Sequence, residues 1–163
     1  MSLLSVKTYL AAQGATISLS GTIWQSVQSF RQRPKRGKAG GNVFVIVGRV
    51  RRTEDRATMP RGLAEKENQY QAEVLLYAEH TDAQAGGDHF DALVELACQA
   101  YRSATGNPTL VDAIIGQTSY LGDFGERIDV ELLPTIFVSD EAETRVGFQA
   151  VLTLPIREIL SPA

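Results

Sequence analysis

The sequence has few of the residues that build covalent cross-links and metal sites, with one cysteine and two histidines among 163 residues. The single Cys98 excludes an intramolecular disulfide, which fits a reducing compartment. The longest apolar runs are short pieces such as Val43–Val47, far below the roughly 20 residues of a membrane-spanning helix. The N-terminus offers only Lys7 and no continuous apolar stretch, so the sequence predicts no secretory signal. We therefore expect a soluble protein that is made in the cytoplasm.

Acidic residues are absent from positions 1–52, which carry nine lysines and arginines. Positions 53–163 hold the other seven bases against all 19 acids. The formal net charge of −3 therefore divides into +9 in the first third and −12 in the rest. Such asymmetry is typical of a basic arm with an acidic partner, which could be nucleic acid, lipid headgroups, another protein or a second copy of the chain. The alternative is that both charge sets interleave on one folded surface and cancel locally.

Residues that could carry catalysis or hold a metal lack the required spacing. There is no GxSxG, Walker A or Rossmann glycine pattern, and His80 and His89 do not have the spacing of a zinc-binding motif. Together with Asp82 and Asp88 they flank a loop and a helix start, where solvated residues are expected. Cys98 lies beside the apolar stripe of a helix and has no basic neighbour to lower its pKa, so we expect an unreactive thiol. The sequence predicts no catalytic residue, no metal site and no cofactor, and hence no enzyme.

Hydrophobic periodicity predicts a short N-terminal helix. The spacing of Leu3, Val6 and Leu10 is typical of one helical face over residues 3–13, with Gly14 as a stop signal. So short a helix is marginal alone and must dock on another element.

A longer amphipathic helix is predicted over residues 88–104. Gly86–Gly87 is expected to break the chain and Asp88 to cap the first turn. The apolar stripe that should cover one face of a sheet consists of Phe90, Leu93, Val94, Ala97, Ala100 and Tyr101.

Four strands are predicted, one from residues that are apolar on both faces at first and three from alternating apolar residues, whereas residues 15–30 fit either a strand or a helix. The strands lie at residues 42–52, 69–79, 127–138 and 145–157. The last two should form a long hairpin, in which Pro134 marks an edge or a bulge. In the second strand, one face carries Tyr70, Ala72, Val74, Leu76 and Ala78.

Segments rich in glycine, proline and charge are predicted to be loops. They are the basic segment 31–41, the charged segment 53–68 and the turn-rich connection Gly116–Gly125. The first two are expected to be mobile. Residues 1–163 then form a single α+β domain with a mostly antiparallel sheet, a long C-terminal hairpin, one main helix on one face and a short N-terminal helix.

This order of elements resembles the tail terminator and neighbouring tail-completion proteins of long-tailed bacteriophages. The resemblance is one of architecture and length without a diagnostic motif, and the basic segment Arg31–Gly41 has no counterpart in the family. It covers over half of the chain and rests on Asn42–Asp55, Tyr70–Thr81, Asp88–Ala104 and Glu126–Ile159.

The resemblance implies a subunit of a hexameric ring at the end of the phage tail tube, in the virion. Such a ring stops tube polymerisation and joins the tail to the head connector, and DNA passes through its centre without sequence-specific binding. Its partners are then other copies of the chain, the tail tube protein and the head–tail connector proteins, with no membrane involved.

The charged segments are the expected docking surfaces of such a ring, because segments that are mobile when free can become ordered on binding. One candidate contact surface consists of Arg31, Arg33, Lys35, Arg36 and Lys38. A second contains Arg52, Arg56, Arg61 and Lys66, with the turn residues Asp140, Glu141 and Glu143 as candidate partners.

Three other interpretations remain open. The chain could be another phage neck or connector ring protein, or a small-molecule enzyme or ligand-binding domain with a polar cluster between sheet and helix. It could also be a nucleic-acid-binding module that uses the basic residues 31–38. The overall pI of about 5.4 and the lack of an aromatic residue within that run count against the last of these.

Overall fold

The structure of the protein, a computed structural model, describes seven segments of the chain. They are residues 3–17, 27–31, 43–56, 66–103, 119–122, 128–139 and 144–160. The helices are α1 (Leu3–Gly14) and α2 (Ala83–Ser103). The strands are β1 (Val27–Phe30), β2 (Val43–Arg56), β3 (Lys66–His80), β4 (Ser119–Gly122), β5 (Asp129–Ser139) and β6 (Thr144–Leu160).

The six strands form one sheet in the order β1-β2-β3-β6, and the far side of β6 pairs with both β4 and β5. Strand β5 pairs with residues 144–153 of β6, while β4 pairs with residues 157–160. Among the described strands, only the β1–β2 pair is parallel. The fold is therefore α+β with a mostly antiparallel sheet, as predicted, and β5 and β6 form the predicted long hairpin.

The core lies on the face of the sheet that the two helices cover, which we call the helix side. Strand register places the even-numbered apolar residues of β3 opposite those of β6 on this side, from Tyr70 opposite Ile156 to Ala78 opposite Phe148. All of them are buried, so the alternation predicted for both strands is confirmed. The helices contribute Val6, Tyr9 and Leu10 from α1, and Phe90, Leu93, Val94, Ala97, Cys98 and Tyr101 from α2.

Helix α2 begins earlier than predicted. Its first turn is capped by Asp82, whose Oδ1 accepts hydrogen bonds from the N–H groups of Gln84 (2.9 Å) and Ala85 (3.0 Å). Asp88 lies inside the helix, so its predicted capping role is wrong. The predicted chain break at Gly86 is wrong as well, because this glycine is buried within the helix. A Cβ atom there would lie 2.7 Å from His80 Cβ and 2.8 Å from Phe148 Cε2, so glycine permits close packing of the helix on the sheet.

The strands extend into two segments that were predicted to be loops. In the segment 53–68, residues 53–56 of β2 pair with residues 66–69 of β3, so the predicted loop is wrong at both of its ends. In the connection Gly116–Gly125, residues 119–122 form β4. Backbone hydrogen bonds to an already formed neighbour hold these residues in the sheet, although their composition is polar or rich in turn formers.

The N-terminal helix is confirmed and ends at Gly14, close to the predicted stop. Residues 15–30, which fitted either a helix or a strand, end in the short strand β1. Of the basic segment 31–41, only Arg31 belongs to the described residues.

Candidate interaction surfaces at the two ends of the sheet

Strand β5 exposes three large apolar side chains on the helix side, Val130, Leu132 and Phe137, which we call the β5 patch, and a fourth, Ile136, on the second face of the sheet. Their exposed fractions are 44% for Val130, 58% for Leu132, 40% for Ile136 and 77% for Phe137. Single exposed apolar residues are ordinary on protein surfaces, but a contiguous group on one strand is typical of a binding surface.

The position of β5 explains why its apolar residues are exposed. Val130 pairs with Leu152 and Leu132 pairs with Ala150, so both point to the helix side, where their partners are buried. Helix α2 packs on β3 and β6, and α1 packs on β1 and β2. In the described part of the chain, no helix lies over β5. The predicted alternation places Val130 and Leu132 together on the helix side, but both are exposed there.

A bulge at Pro134 redirects the second half of β5. Leu133 pairs with Gln149, but the next paired residue is Ile136, opposite Gly147, so the register shifts between them. The bulge predicted from Pro134 is confirmed. After it, Phe137 pairs with Val146 and returns to the helix side, which extends the β5 patch along the strand.

Carboxylates alternate with the apolar residues of β5. Asp129 and Glu131 are exposed and lie on the opposite face of the strand from Val130 and Leu132. The two faces of β5 therefore differ, with apolar side chains on the helix side and carboxylates on the second face.

The opposite end of the sheet carries a second exposed apolar group, on α1. Leu3 is 40% and Leu4 is 63% exposed, and we call these two residues the α1 patch. Thr8 Oγ1 donates a hydrogen bond to the Leu4 carbonyl (2.8 Å) and accepts one from Arg31 Nη1 (3.2 Å). This contact holds the Arg31 guanidinium beside the exposed face of α1.

The second face of the sheet carries a row of aromatic rings across three strands. The ring centroids of Phe30 and Phe44 are 5.9 Å apart, and those of Phe44 and Tyr77 are 6.3 Å apart. The Tyr77 hydroxyl donates a hydrogen bond to the Glu79 carboxylate. These side chains are half-buried and pack against one another, so they stabilise the sheet rather than form an open patch.

Four of the predicted contact residues lie within the described segments. Arg31 follows β1 and Arg52 is exposed on β2 opposite Tyr70, while Arg56 and Lys66 are direct cross-strand partners at the end of the β2–β3 ladder. The structure thus brings Arg56 and Lys66 together and places Arg31 on a separate element, β1. The others lie outside the described residues: Arg33, Lys35, Arg36, Lys38, Arg61, Asp140, Glu141 and Glu143.

His80 and Asp82, just before α2, have local structural roles. His80 Nδ1 accepts a hydrogen bond from the Asp82 N–H (2.8 Å). The N–H groups of Ala85 and Gln84 hold the pKa of Asp82 below its usual range. Across the segments described, no three histidine, cysteine, aspartate or glutamate residues are grouped so that they could hold a metal ion. Cys98 is buried, in agreement with the sequence prediction.

Sequence reasoning missed the two apolar patches, although a simple width argument could have located one of them. A helix is about 10 Å wide and strands are about 4.8 Å apart, so two helices cover about four strands. The sheet is five positions wide, because β4 and β5 share the last position. Among the described elements, one outer strand therefore has no helix packed on it, and β5 is that strand.

Comparison with known proteins adds no relative to this description. The chain matches no protein-family model and no curated protein sequence. Among the described residues, neither helix has the length and apolar composition needed to span a bilayer. The interaction surfaces must therefore be interpreted from their own geometry and charge.

Proposed function

We propose that the protein is a structural virion assembly protein, a tail terminator that forms a ring at the head–tail junction of a phage. In this role it stops polymerisation of the tail tube and joins the tail to the head connector, without catalysis. The observation that carries the proposal is the pair of exposed apolar patches at opposite ends of one sheet, the β5 patch and the α1 patch.

Two unlike patches on one chain support a ring. A contact between different surfaces of identical subunits is heterologous; it gives a ring when the rotation between subunits closes and an open filament when it does not. A single self-complementary patch would instead give an isolated dimer. The order of elements, with the long β5–β6 hairpin, adds the resemblance to tail terminators, which suggests six subunits.

An uncovered strand at the edge of a sheet also supports an assembled state. Such an edge pairs readily with other chains unless charge, a bulge or a partner protects it. Strand β5 carries both a bulge and two carboxylates, yet it keeps large apolar residues exposed. This combination is expected of a strand that must stay soluble before assembly and become buried afterwards.

The proposed partners are other copies of the chain, the tail tube protein, the head–tail connector proteins and the DNA in the lumen, all within the virion. Negative-stain electron microscopy of the purified protein, alone and with tail tubes, tests this function. We expect rings about the tube axis and tubes that stop growing once capped. A protein that stays monomeric at high concentration and leaves tube growth unchanged would contradict the proposal. A ring that binds the connector but does not cap tubes would identify another connector protein instead.

A further inference from the structure

We propose that neighbouring copies of this chain join by strand pairing, with the outer edge of β5 in one copy hydrogen-bonded to the outer edge of β2 in the next. The inference rests on the proposed ring and names the two strand edges that form its subunit contact. Because the two edges differ, the contact is heterologous, as a ring requires.

Both strands have an edge that the other described strands leave open. Within the described part of the chain, β5 pairs with β6 alone. On the side of β2 away from β3, β1 pairs with residues 43–46, and no described strand pairs with residues 47–56 on that side. The N–H and C=O groups along such an edge readily accept a further strand. The next step is to ask which strand they accept.

Opposite charges lie on the same face of the sheet at these two edges. Strand β2 carries Arg49 and Arg51 on the second face, since both flank Val50, which faces the helix side. Strand β5 carries Asp129 and Glu131 on that same second face. All four charged side chains are exposed. On this face the β2 edge is therefore cationic and the β5 edge is anionic, which is the complementarity that steers association and fixes orientation.

The strand directions allow one register that pairs all four charges. The β2–β3, β3–β6 and β6–β5 pairs are each antiparallel, so β5 runs antiparallel to β2 when the sheet continues into the next copy with its helix side unchanged. A register with Glu131 opposite Arg49 then also sets Asp129 opposite Arg51, because the spacing is two residues on both strands. Opposite charges that face each other across strands stabilise a sheet.

The same register ends where both strands change. It sets Pro134 opposite Ile46, the last residue of β2 that pairs with β1. Pro134 has no N–H to donate and lies at the bulge of β5. Residues 129–133 of β5 therefore fit along the part of the β2 edge that β1 leaves open. On the helix side, Val130 then lies beside Val50, which packs against the core.

The charges disfavour the symmetric alternatives. Two β5 edges paired with each other would set Asp129 and Glu131 of both copies together on one face. Two β2 edges would do the same with Arg49 and Arg51. Like charges that face each other across strands are destabilising. Only the pairing of β5 with β2 brings opposite charges together on the same face, and it requires a second copy that is arranged head to tail.

Cross-linking between two singly substituted proteins tests which edges meet. An Arg49→Cys chain with a purification tag is mixed with an untagged Glu131→Cys chain and treated with a short thiol cross-linker. The natural Cys98 is buried, and the unsubstituted protein measures its background. We expect the tagged–untagged covalent dimer to dominate over both covalent dimers of identical chains. The matched control replaces Glu131→Cys with Gln99→Cys, an exposed position on α2, which should give no such dimer.

Charge reversal tests the pairing of the side chains. We expect Arg49→Glu and Glu131→Arg each to weaken self-association by about tenfold in sedimentation velocity, since like charges then meet at the contact. The chain with both substitutions should recover association to within about threefold of the original protein, because the pair is restored with its signs exchanged. Glu95→Arg makes the same change of charge at an exposed position of α2, and it should neither weaken association nor rescue Arg49→Glu.

The outcomes separate this inference from the proposed function. Rings that cap tubes without a cross-link between positions 49 and 131, or dimers linked through position 131 alone, would overturn the inference and leave the function standing. The expected cross-link and charge rescue in a protein that ignores tail tubes would support the inference and overturn the function. Absence of any assembly would overturn both.

Discussion

At the scale of single residues, Tyr101 joins the two helices to each other. Its side chain is fully buried, and its hydroxyl donates a hydrogen bond to the Leu10 carbonyl of α1 (3.1 Å). Burial raises the pKa of Tyr101 well above its ordinary value, because the phenolate would have to lose its hydration. The contact thus fixes α1 against α2 and ties the α1 patch to the rest of the core.

We expect Tyr101→Phe to lower the free energy of unfolding by about 1 kcal/mol, because it removes one buried hydrogen bond while it keeps the ring. Urea unfolding followed by circular dichroism measures this change. An unchanged urea midpoint would show that the Tyr101 hydroxyl contributes nothing to the free energy of unfolding.

Alkaline pH provides a separate test of the same group. A raised pKa means that only the unfolded state releases the Tyr101 proton just above pH 10, so stability should fall by about 1.4 kcal/mol per pH unit there. Burial also raises the pKa of Tyr9, so this residue too lowers the stability as the pH rises above 10. The slope above pH 10 should be shallower in Tyr101→Phe than in the original protein, and equal slopes would contradict the assignment.

At the scale of elements, the position where α2 begins decides how the helix packs on the sheet. The sequence predicted Asp88 as its cap, whereas the structure has Asp82 in that position. Asp82 accepts two N–H groups of the first turn. Asp88 lies farther along the helix and is exposed.

We expect Asp82→Ala to lower the unfolding midpoint and Asp88→Ala to leave it nearly unchanged, as measured by thermal unfolding at pH 7. Because the pKa of Asp82 is lowered in the folded protein, its stabilising effect is present above pH 4 and is lost as the pH falls further. Equal effects of both substitutions on the unfolding midpoint would contradict the assignment of Asp82 as the cap of α2.

The two neighbouring glycines of α2 form a matched pair. Gly86→Ala should destabilise the protein by about 1–2 kcal/mol, because the added Cβ would meet His80 and Phe148 below 3.0 Å and this overpacking exceeds the gain in helix propensity. Gly87→Ala meets only Phe148 Cε1 at 3.7 Å, which is ordinary contact, and should stabilise by about 0.5–1 kcal/mol. Denaturant titration of both variants checks the opposite signs, and the same sign for both would contradict the packing described for Gly86.

Elements with a clear period could be predicted from sequence, and features that depend on neighbours could not. The alternation on β3 and β6 and the stripe on α2 each identify a buried face, because side-chain period follows directly from backbone geometry. The extension of β2 and β3 through polar residues depends on strand pairing, which composition does not encode. The exposure of Val130 and Leu132 depends on whether another element packs on β5. An alternating pattern identifies only the face of the strand on which these residues lie.

At the scale of the whole molecule, the sheet is wider than its helical layer, and this mismatch produces the β5 patch. Full burial of an aliphatic or aromatic side chain of this size contributes about 1.5–3 kcal/mol. Three such residues on one face of the strand, Val130, Leu132 and Phe137, therefore represent substantial association energy that burial against another copy would supply.

The central claim is that the β5 patch is buried between copies of the chain, and sedimentation velocity over a range of protein concentrations tests it most directly. The original protein and Gln99→Glu, which places a charge on the exposed face of α2, should both shift from monomer to one larger closed species. Leu132→Glu should remain monomeric with an unchanged circular dichroism spectrum, because it places a charge in the proposed contact. Assembly of Leu132→Glu at the same concentration as the original protein would contradict the account.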